Sequence, residues 1–438
     1  MSKKYNLMKI VRGLFISYTL TLFFQLIVFL ILRERMDPTY QQAFSDFSFS
    51  DFLINYEAGF IRRGLIGEIL LYAYSNWGIN IGDTILWSCI ISTIMLIALV
   101  IFLFKKKGLS FFILPTVVLL GGFAMNRLTL YRRDAIMLLF IFAAIYFYRY
   151  TLYNRDFRRI TNYFLFNLFC TLTILIHEAS FFCFVPFLFL HFLHHITITK
   201  NSNILKSISS TLIFFLPAVL TITATVIFKG DERSANEIWN SWTPYFVENY
   251  GQTLPMGQGV EALSWNSSTT FKFHLRTNYL EPIINHVPRV FVWYIIFFFT
   301  FYLCVNVNRI KLFKYEKKVN SNFLTTTLLV TFISLLPMFT VLSCDLRRVI
   351  IYWTITSFFI YALLEDTIPA KKTTFVSYCA EKINRFFENS KILKSKLFYV
   401  IVALTIVCPF AAFPMPKAIF TSVIGNIYTL IKTLFSLL

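Results

Sequence analysis

Apolar residues in this chain come in long unbroken runs, not in stripes spaced for one face of a helix. Runs of about 18 or more apolar residues read as membrane-spanning helices. On that criterion the pattern predicts spans near 11–32, 84–104, 109–125, 135–150, 161–176, 180–196, 207–228, 289–307, 322–343, 349–364 and 397–413. The segment 417–438 reads as either a twelfth span or a helix lying in the interface. The expected fold is an all-α polytopic integral membrane protein with about 11–12 transmembrane helices forming one domain over 1–438. Polar residues collect in a first loop at 33–83, a long loop at 230–288 and a basic loop at 365–396. The opening MSKKYNLMKIVRG and the apolar run after it have the form of a signal peptide. No small-residue cleavage site follows, so the run reads as an uncleaved first span.

The first loop carries a pattern of its own. At about 100° per residue, Phe49, Phe52, Leu53, Tyr56 and Phe60 share one helical face, with Asp51 and Asn55 on the other. This predicts a helix lying on the membrane surface. The run 64–78 is too short to cross a bilayer comfortably and predicts a second interfacial helix.

Composition supports the membrane reading. The chain is 57% hydrophobic and 14% charged, with mean hydropathy +0.64, whereas about a quarter of the residues in soluble domains are charged. The net charge of +19 is not gathered into a basic tract or a nucleic-acid motif, so nucleic acid is not an expected partner. Seven cysteines (Cys89, Cys170, Cys183, Cys304, Cys344, Cys379, Cys408) are scattered without a CxxC, which suggests neither a disulfide framework nor a metal site.

The cations set an orientation. With a cytoplasmic N-terminus, the inside loops carry Lys105–Lys107, Arg149 to Arg159, Lys200, Lys206, Arg309 to Lys318 and Lys371 to Lys396. That inside set is mostly lysine, whereas the outside set is about 12 Arg to about 3 Lys. Lysine is a hydrated point charge, while arginine is a planar fork that grips phosphate or carboxylate bidentately. An arginine-rich outer face implies an anionic partner there.

Four charged clusters fall at the outer ends of the spans: Glu57, Arg62, Arg63 and Glu68; Arg127, Arg132, Arg133 and Asp134; His177 and Glu178; Asp345, Arg347 and Arg348. Each alone could anchor a helix end. Together they point to a site, because charges at the mouth of a helical bundle are costly unless used or paired. Arg62, Arg63, Arg127, Arg132, Arg133, Arg347 and Arg348 are the candidate grips for a diphosphate whose negative charge grows as its bond to a sugar carbon breaks. Glu57 and Glu178 are the first candidates to accept the proton of an attacking hydroxyl, with His177, Asp51, Asp134 and Asp345 behind them. The long loop adds Trp, Tyr, Asn, Gln and Glu, which suit the apolar faces and hydroxyl rims of sugars and equally suit an aromatic belt.

With its arginine pairs, long first and middle outer loops and Phe-rich spans, the chain resembles the bacterial O-antigen polymerases. More broadly it is similar to the C-type membrane glycosyltransferases. The resemblance implies polymerisation of undecaprenyl-diphosphate-linked oligosaccharide repeats at the periplasmic face of the inner membrane. It also implies an acidic residue in the first outer loop, a role open to Glu57 or Asp51, and arginine-bearing loops like Arg132–Arg133 and Arg347–Arg348. His177–Glu178 has no counterpart in it. The Asp-x-Asp pattern of metal-dependent sugar transferases is absent, so no metal or other cofactor is expected. Expected partners are lipid-linked oligosaccharides, membrane lipids and a chain-length-regulating membrane protein. Competing functions are transfer of single sugars from a lipid-monophosphate carrier, flipping of lipid-linked oligosaccharides, and acyl transfer through His177.

Overall fold

The computed structural model describes residues 41–107, 132–153, 157–200, 203–280, 282–284, 287–307, 320–342, 346–367 and 375–388. The spans expected at 11–32, 109–125, 397–413 and 417–438 lie outside the described residues, as do Arg127 and Asp345.

The expected apolar runs become helices whose bounds lie within a few residues of the sequence-based ones. They are α4 (Ile81–Lys107), α5 (Asp134–Tyr153), α6 (Phe157–Ile176), α7 (Ala179–Lys200), α14 (Arg289–Val307), α15 (Ser321–Pro337) and α16 (Leu346–Leu364). Of these, α15 alone ends short, at Pro337. Among the described residues six helices are long and apolar enough to cross a membrane, or seven if a bent pair counts as one span. That pair replaces the continuous span expected at 207–228: α8 (Ile204–Phe214) and α9 (Leu216–Ile227) meet at 60°. Pro217 sits at the start of α9, where it removes an amide donor and crowds the turn before it. The chain is a polytopic helical membrane protein.

α16 is the centre of the bundle, with Ile350, Trp353, Phe358, Tyr361 and Leu364 fully buried. Its small polar residues Thr354, Thr356 and Ser357 are buried too, as befits a span enclosed by other helices instead of lipid. Small polar groups stitch the neighbours together: Thr331 and Ser357 hydroxyls lie 2.7 Å apart, and Trp353 Nε1 donates to the Leu328 carbonyl at 3.0 Å. Hydroxyl and amide contacts of this kind hold helices together where hydrophobic burial supplies little driving force.

The two ends of the bundle differ in charge. At one, Lys107 Nζ meets Asp366 at 2.9 Å, and Arg149 reaches the same carboxylate at 3.7 Å. At the other end stand the arginine clusters, under a cap built from both long polar loops. The cap contains α1 (Gln41–Ser45), α2 (Phe47–Ser50), a 3-10 turn at Asp51–Leu53 and α3 (Gly64–Trp77). From the second loop come α10 (Glu232–Ser241), α11 (Thr243–Tyr250), α12 (Gln258–Glu261) and α13 (Ser267–Leu275). Asp46 caps α2 through the Ser48 amide and Asp231 caps α10 through the Ser234 amide, satisfying amides that a helix start leaves open. A two-stranded ribbon, β1 (Pro282–Ile284) with β2 (Val287–Pro288), leads into α14.

The cap corrects two expectations. Phe49, Phe52 and Leu53 do not lie on a membrane: they are buried against Trp239, Trp242, Tyr245 and Phe246 of the long loop. Those long-loop aromatics are likewise core and unavailable to stack on sugars. The loops are joined by hydrogen bonds from Trp242 Nε1 to the Leu53 carbonyl, from Asn55 Nδ2 to Ser241 Oγ, and from the Gly259 amide to Ser50 Oγ, each 2.8 Å. Gly259 permits this approach, because a Cβ there would stand 2.5 Å from the Asp51 amide nitrogen. The run expected at 64–78 is the 14-residue α3, which buries Gly64, Gly67, Leu70 and Ala73 while Ile69, Tyr72 and Trp77 stay exposed.

Candidate functional site

Each of the three arginine pairs uses its second member in the same way. Arg63, Arg133 and Arg348 all turn inward onto carboxylates supplied by other parts of the chain. Arg133, 2% exposed, donates from Nε to Asp51 Oδ2 at 2.9 Å and pairs with the same oxygen through Nη2. Arg63 reaches the other oxygen of Asp51 at 3.4 Å. It also grips Glu178 with both arms of its fork, at 2.8 Å from Nε to Oε2 and through Nη2 to Oε1. Arg348 holds Asp134 the same way, at 2.9 Å from Nε and 2.5 Å from Nη2, and Tyr352, one turn later on α16, donates its hydroxyl to that carboxylate.

Backbone geometry fixes the centre of this network. Among the described residues Arg63 is the one non-glycine with positive φ, at 65°, directly before α3. Such a conformation costs on the order of 1 kcal/mol or more for a side chain with a Cβ. It is held by Arg133, whose Nη1 donates to the Arg63 carbonyl at 2.9 Å. One buried guanidinium therefore sets both a carboxylate and a strained turn.

The titratable groups respond to this packing. Burial by itself would raise the Asp51 carboxyl, but Arg133 and Arg63 overcome it and hold the group well below the carboxylate range. Glu178 behaves alike, its burial outweighed chiefly by Arg63. Both are firmly anionic and correspondingly weak bases. His177 is pushed down to about 3 by burial and then by Arg63, against the pull of Glu178. It is a neutral imidazole whose Nδ1 accepts the Ala179 amide at 3.2 Å, which leaves the proton on Nε2. In that tautomer His177 offers a donor, not a base.

The remaining expected residues separate. Arg62 approaches Glu178 at 3.8 Å, but its Nε is buried with no hydrogen-bond partner among the described residues. Arg132 lies within electrostatic reach of Asp134. Glu57 is exposed, and among the described residues its carboxylate has no ion pair. Glu68 accepts the Tyr56 amide at 2.9 Å. Arg347 falls in the first turn of α16, its side chain outside the described set.

Sequence reading ranked Asp51 behind Glu57, yet Asp51 is the hub of the network. It missed Tyr352, although the Arg348–Tyr352 spacing of four places both on one helical face. It also missed His274 of α13, which lies within electrostatic reach of Arg63 and brings the long loop to the site. Among the described residues five guanidiniums (Arg62, Arg63, Arg132, Arg133, Arg348) face three carboxylates (Asp51, Asp134, Glu178), a surplus of positive charge in a partly desolvated place. Such an arrangement can bind a polyanion and stabilise negative charge that develops on it. No known protein family, curated protein or solved structure matches this chain.

Proposed function

We propose that this chain is a membrane glycosyltransferase that polymerises undecaprenyl-diphosphate-linked oligosaccharide repeats at the outer face of the bacterial inner membrane. The observation that carries the reading is the convergence of arginines from three separate loops, with more guanidinium than carboxylate, at one end of an apolar helical bundle. In this scheme Arg63, Arg133 and Arg348, each matched to a carboxylate, form the rigid floor. Arg62 and Arg132 supply the charge that meets the diphosphate as its bond to the sugar breaks. Glu57, untied by any ion pair among the described residues, takes the proton of the acceptor hydroxyl. His177, neutral and donating from Nε2, supports a phosphate or glycan oxygen.

Transport is the weaker reading. Carriers place ionisable groups near the middle of the membrane, whereas among the described residues the ion pairs of the bundle gather at its two ends.

The test is transfer by the purified protein from an undecaprenyl-diphosphate oligosaccharide, with polymer length read on a gel. Arg62→Gln and Arg132→Gln should each lower kcat/KM by about 100-fold or more, the scale of losing one stabiliser of developing charge. Their melting temperatures should match that of the parent protein. Parental polymer yield in the double variant would overturn the reading.

A further inference from the structure

The loop that carries Arg62 also builds an amphipathic surface that the transfer scheme does not use. Tyr56 and Phe60 stack with ring centroids 5.6 Å apart and planes 18° from parallel. Phe228, at the end of α9, meets Phe60 edge-on at 5.5 Å. The three rings form a contiguous aromatic shelf. Its outer part is open: Phe60 is 41% exposed, Phe228 50% and Ile227 66%. Beyond it the exposed Leu220 and Leu216 continue down α9, the helix whose polar Thr225 turns inward.

The loop that carries the shelf also holds two incomplete polar groups. The Tyr56 hydroxyl and Arg62 Nε are both buried, and neither has a hydrogen-bond partner among the described residues. Tyr56 is pushed up to about 12, by burial and then by Glu68, so the hydroxyl keeps its proton as a donor. A buried donor without an acceptor is destabilising, so two on one short loop call for an anionic oxygen to accept from them. The shelf and these donors are tied together, because the Arg62 amide donates to the Phe228 carbonyl at 3.0 Å. Gly64 lets the Tyr56 ring settle on the turn after Arg63, since a Cβ there would stand 2.3 Å from that ring.

We propose that the Tyr56–Phe60–Phe228 shelf binds the first isoprene units of a single-chain isoprenoid phosphate. The phosphate accepts from the Tyr56 hydroxyl and Arg62 Nε, and the chain runs on along the exposed face of α9. The donors fit the oxygens of a phosphate, and the exposed rings with Ile227, Leu220 and Leu216 along α9 fit an apolar chain. The choice of an isoprenoid rests on the transferase reading above. The site itself rests on the shelf and the unpartnered donors.

The experiment measures binding, without transfer. The full chain in phosphatidylcholine nanodiscs is titrated separately with undecaprenyl phosphate, phosphatidylglycerol and inorganic diphosphate, and bound ligand is counted by native mass spectrometry. The parent protein should retain undecaprenyl phosphate at least about tenfold better than phosphatidylglycerol, a difference of about 1.4 kcal/mol. Phe60→Ser with Phe228→Ser should lose most of that preference while leaving inorganic diphosphate binding unchanged. Arg62→Gln should weaken both anions. Phe60→Leu with Phe228→Leu keeps the surface apolar without rings and should fall between; it carries the test if the serine variant does not fold. Equal retention of phosphatidylglycerol, or undiminished retention by the leucine variant, would overturn the site. Shelf-dependent binding without any glycosidic bond formed would leave the site standing and remove the transferase reading.

Discussion

Arg133 does more at the residue scale than its position in an Arg-Arg-Asp triplet suggests. Its guanidinium is nearly inaccessible and holds both Asp51 and the carbonyl of the positive-φ residue Arg63. Arg133→Ala would leave a buried carboxylate short of its main counter-ion and should cost about 3–5 kcal/mol, read as a lowered melting temperature in detergent. Arg133→Lys should recover little of this, because one ammonium cannot reproduce the fork that reaches both acceptors. His177 makes a second prediction. Its folded value of about 3 lies below the ordinary imidazole value of about 6.5, so the unfolded chain binds the extra proton between them. The stability this group contributes is complete above pH 6.5 and is lost as the pH falls toward 3, at up to about 1.4 kcal/mol per pH unit. His177→Asn should therefore show a shallower fall in melting temperature between pH 6.5 and 5 than the parent protein. Asp51 and Glu178, whose folded values are depressed, add to the loss only in more acid solution, below the ordinary carboxylate range of about 4.

Among the elements, legibility followed the physics of each signal. Long apolar runs announced α4, α5, α6 and α7 within a few residues, because an unbroken apolar run of bilayer length finds little besides lipid and other spans to cover it. The face containing Phe49, Phe52 and Leu53 was equally plain, but periodicity reports only that a face is apolar. Lipid and a neighbouring loop satisfy it alike, and here the neighbour is α10 and α11 of the long loop. The site was legible as four clusters on one surface. Its wiring was not, since Asp51 with Arg133 and Asp134 with Arg348 pair across chain separations of 82 and 214 residues that no local pattern encodes. The contact between the two cap loops offers its own test. Gly259→Val should push its Cβ into the backbone around Asp51 and loosen the long loop, opening 230–280 to limited proteolysis while the helices beneath stay protected.

For the whole molecule, the orientation expected from the contrast between an arginine-rich outer set and a lysine-rich inner set is open to direct test. Glu237 on α10 and Lys206 on α8 are exposed residues at opposite ends of the same bundle. In cells, Glu237→Cys should react with a membrane-impermeant maleimide added outside, and Lys206→Cys only after the membrane is opened. The reverse pattern would place the arginine cluster in the cytoplasm and with it the proposed chemistry.

The ion pairs of the site also impose an order on biogenesis. Asp51 and Arg63 leave the ribosome early, yet Arg133 follows Asp51 by 82 residues and Glu178 follows Arg63 by 115. Asp134, at the mouth of α5, does not meet Arg348 until more than two hundred further residues have been made. A nascent chain halted in between carries charged groups at the membrane boundary with their partners still unsynthesised. Arrival of α16 gives Asp134 its Arg348 partner, so this part of the charge network closes late in synthesis, and a chain that stalls before it presents the quality-control machinery with a carboxylate still lacking that partner at the membrane surface.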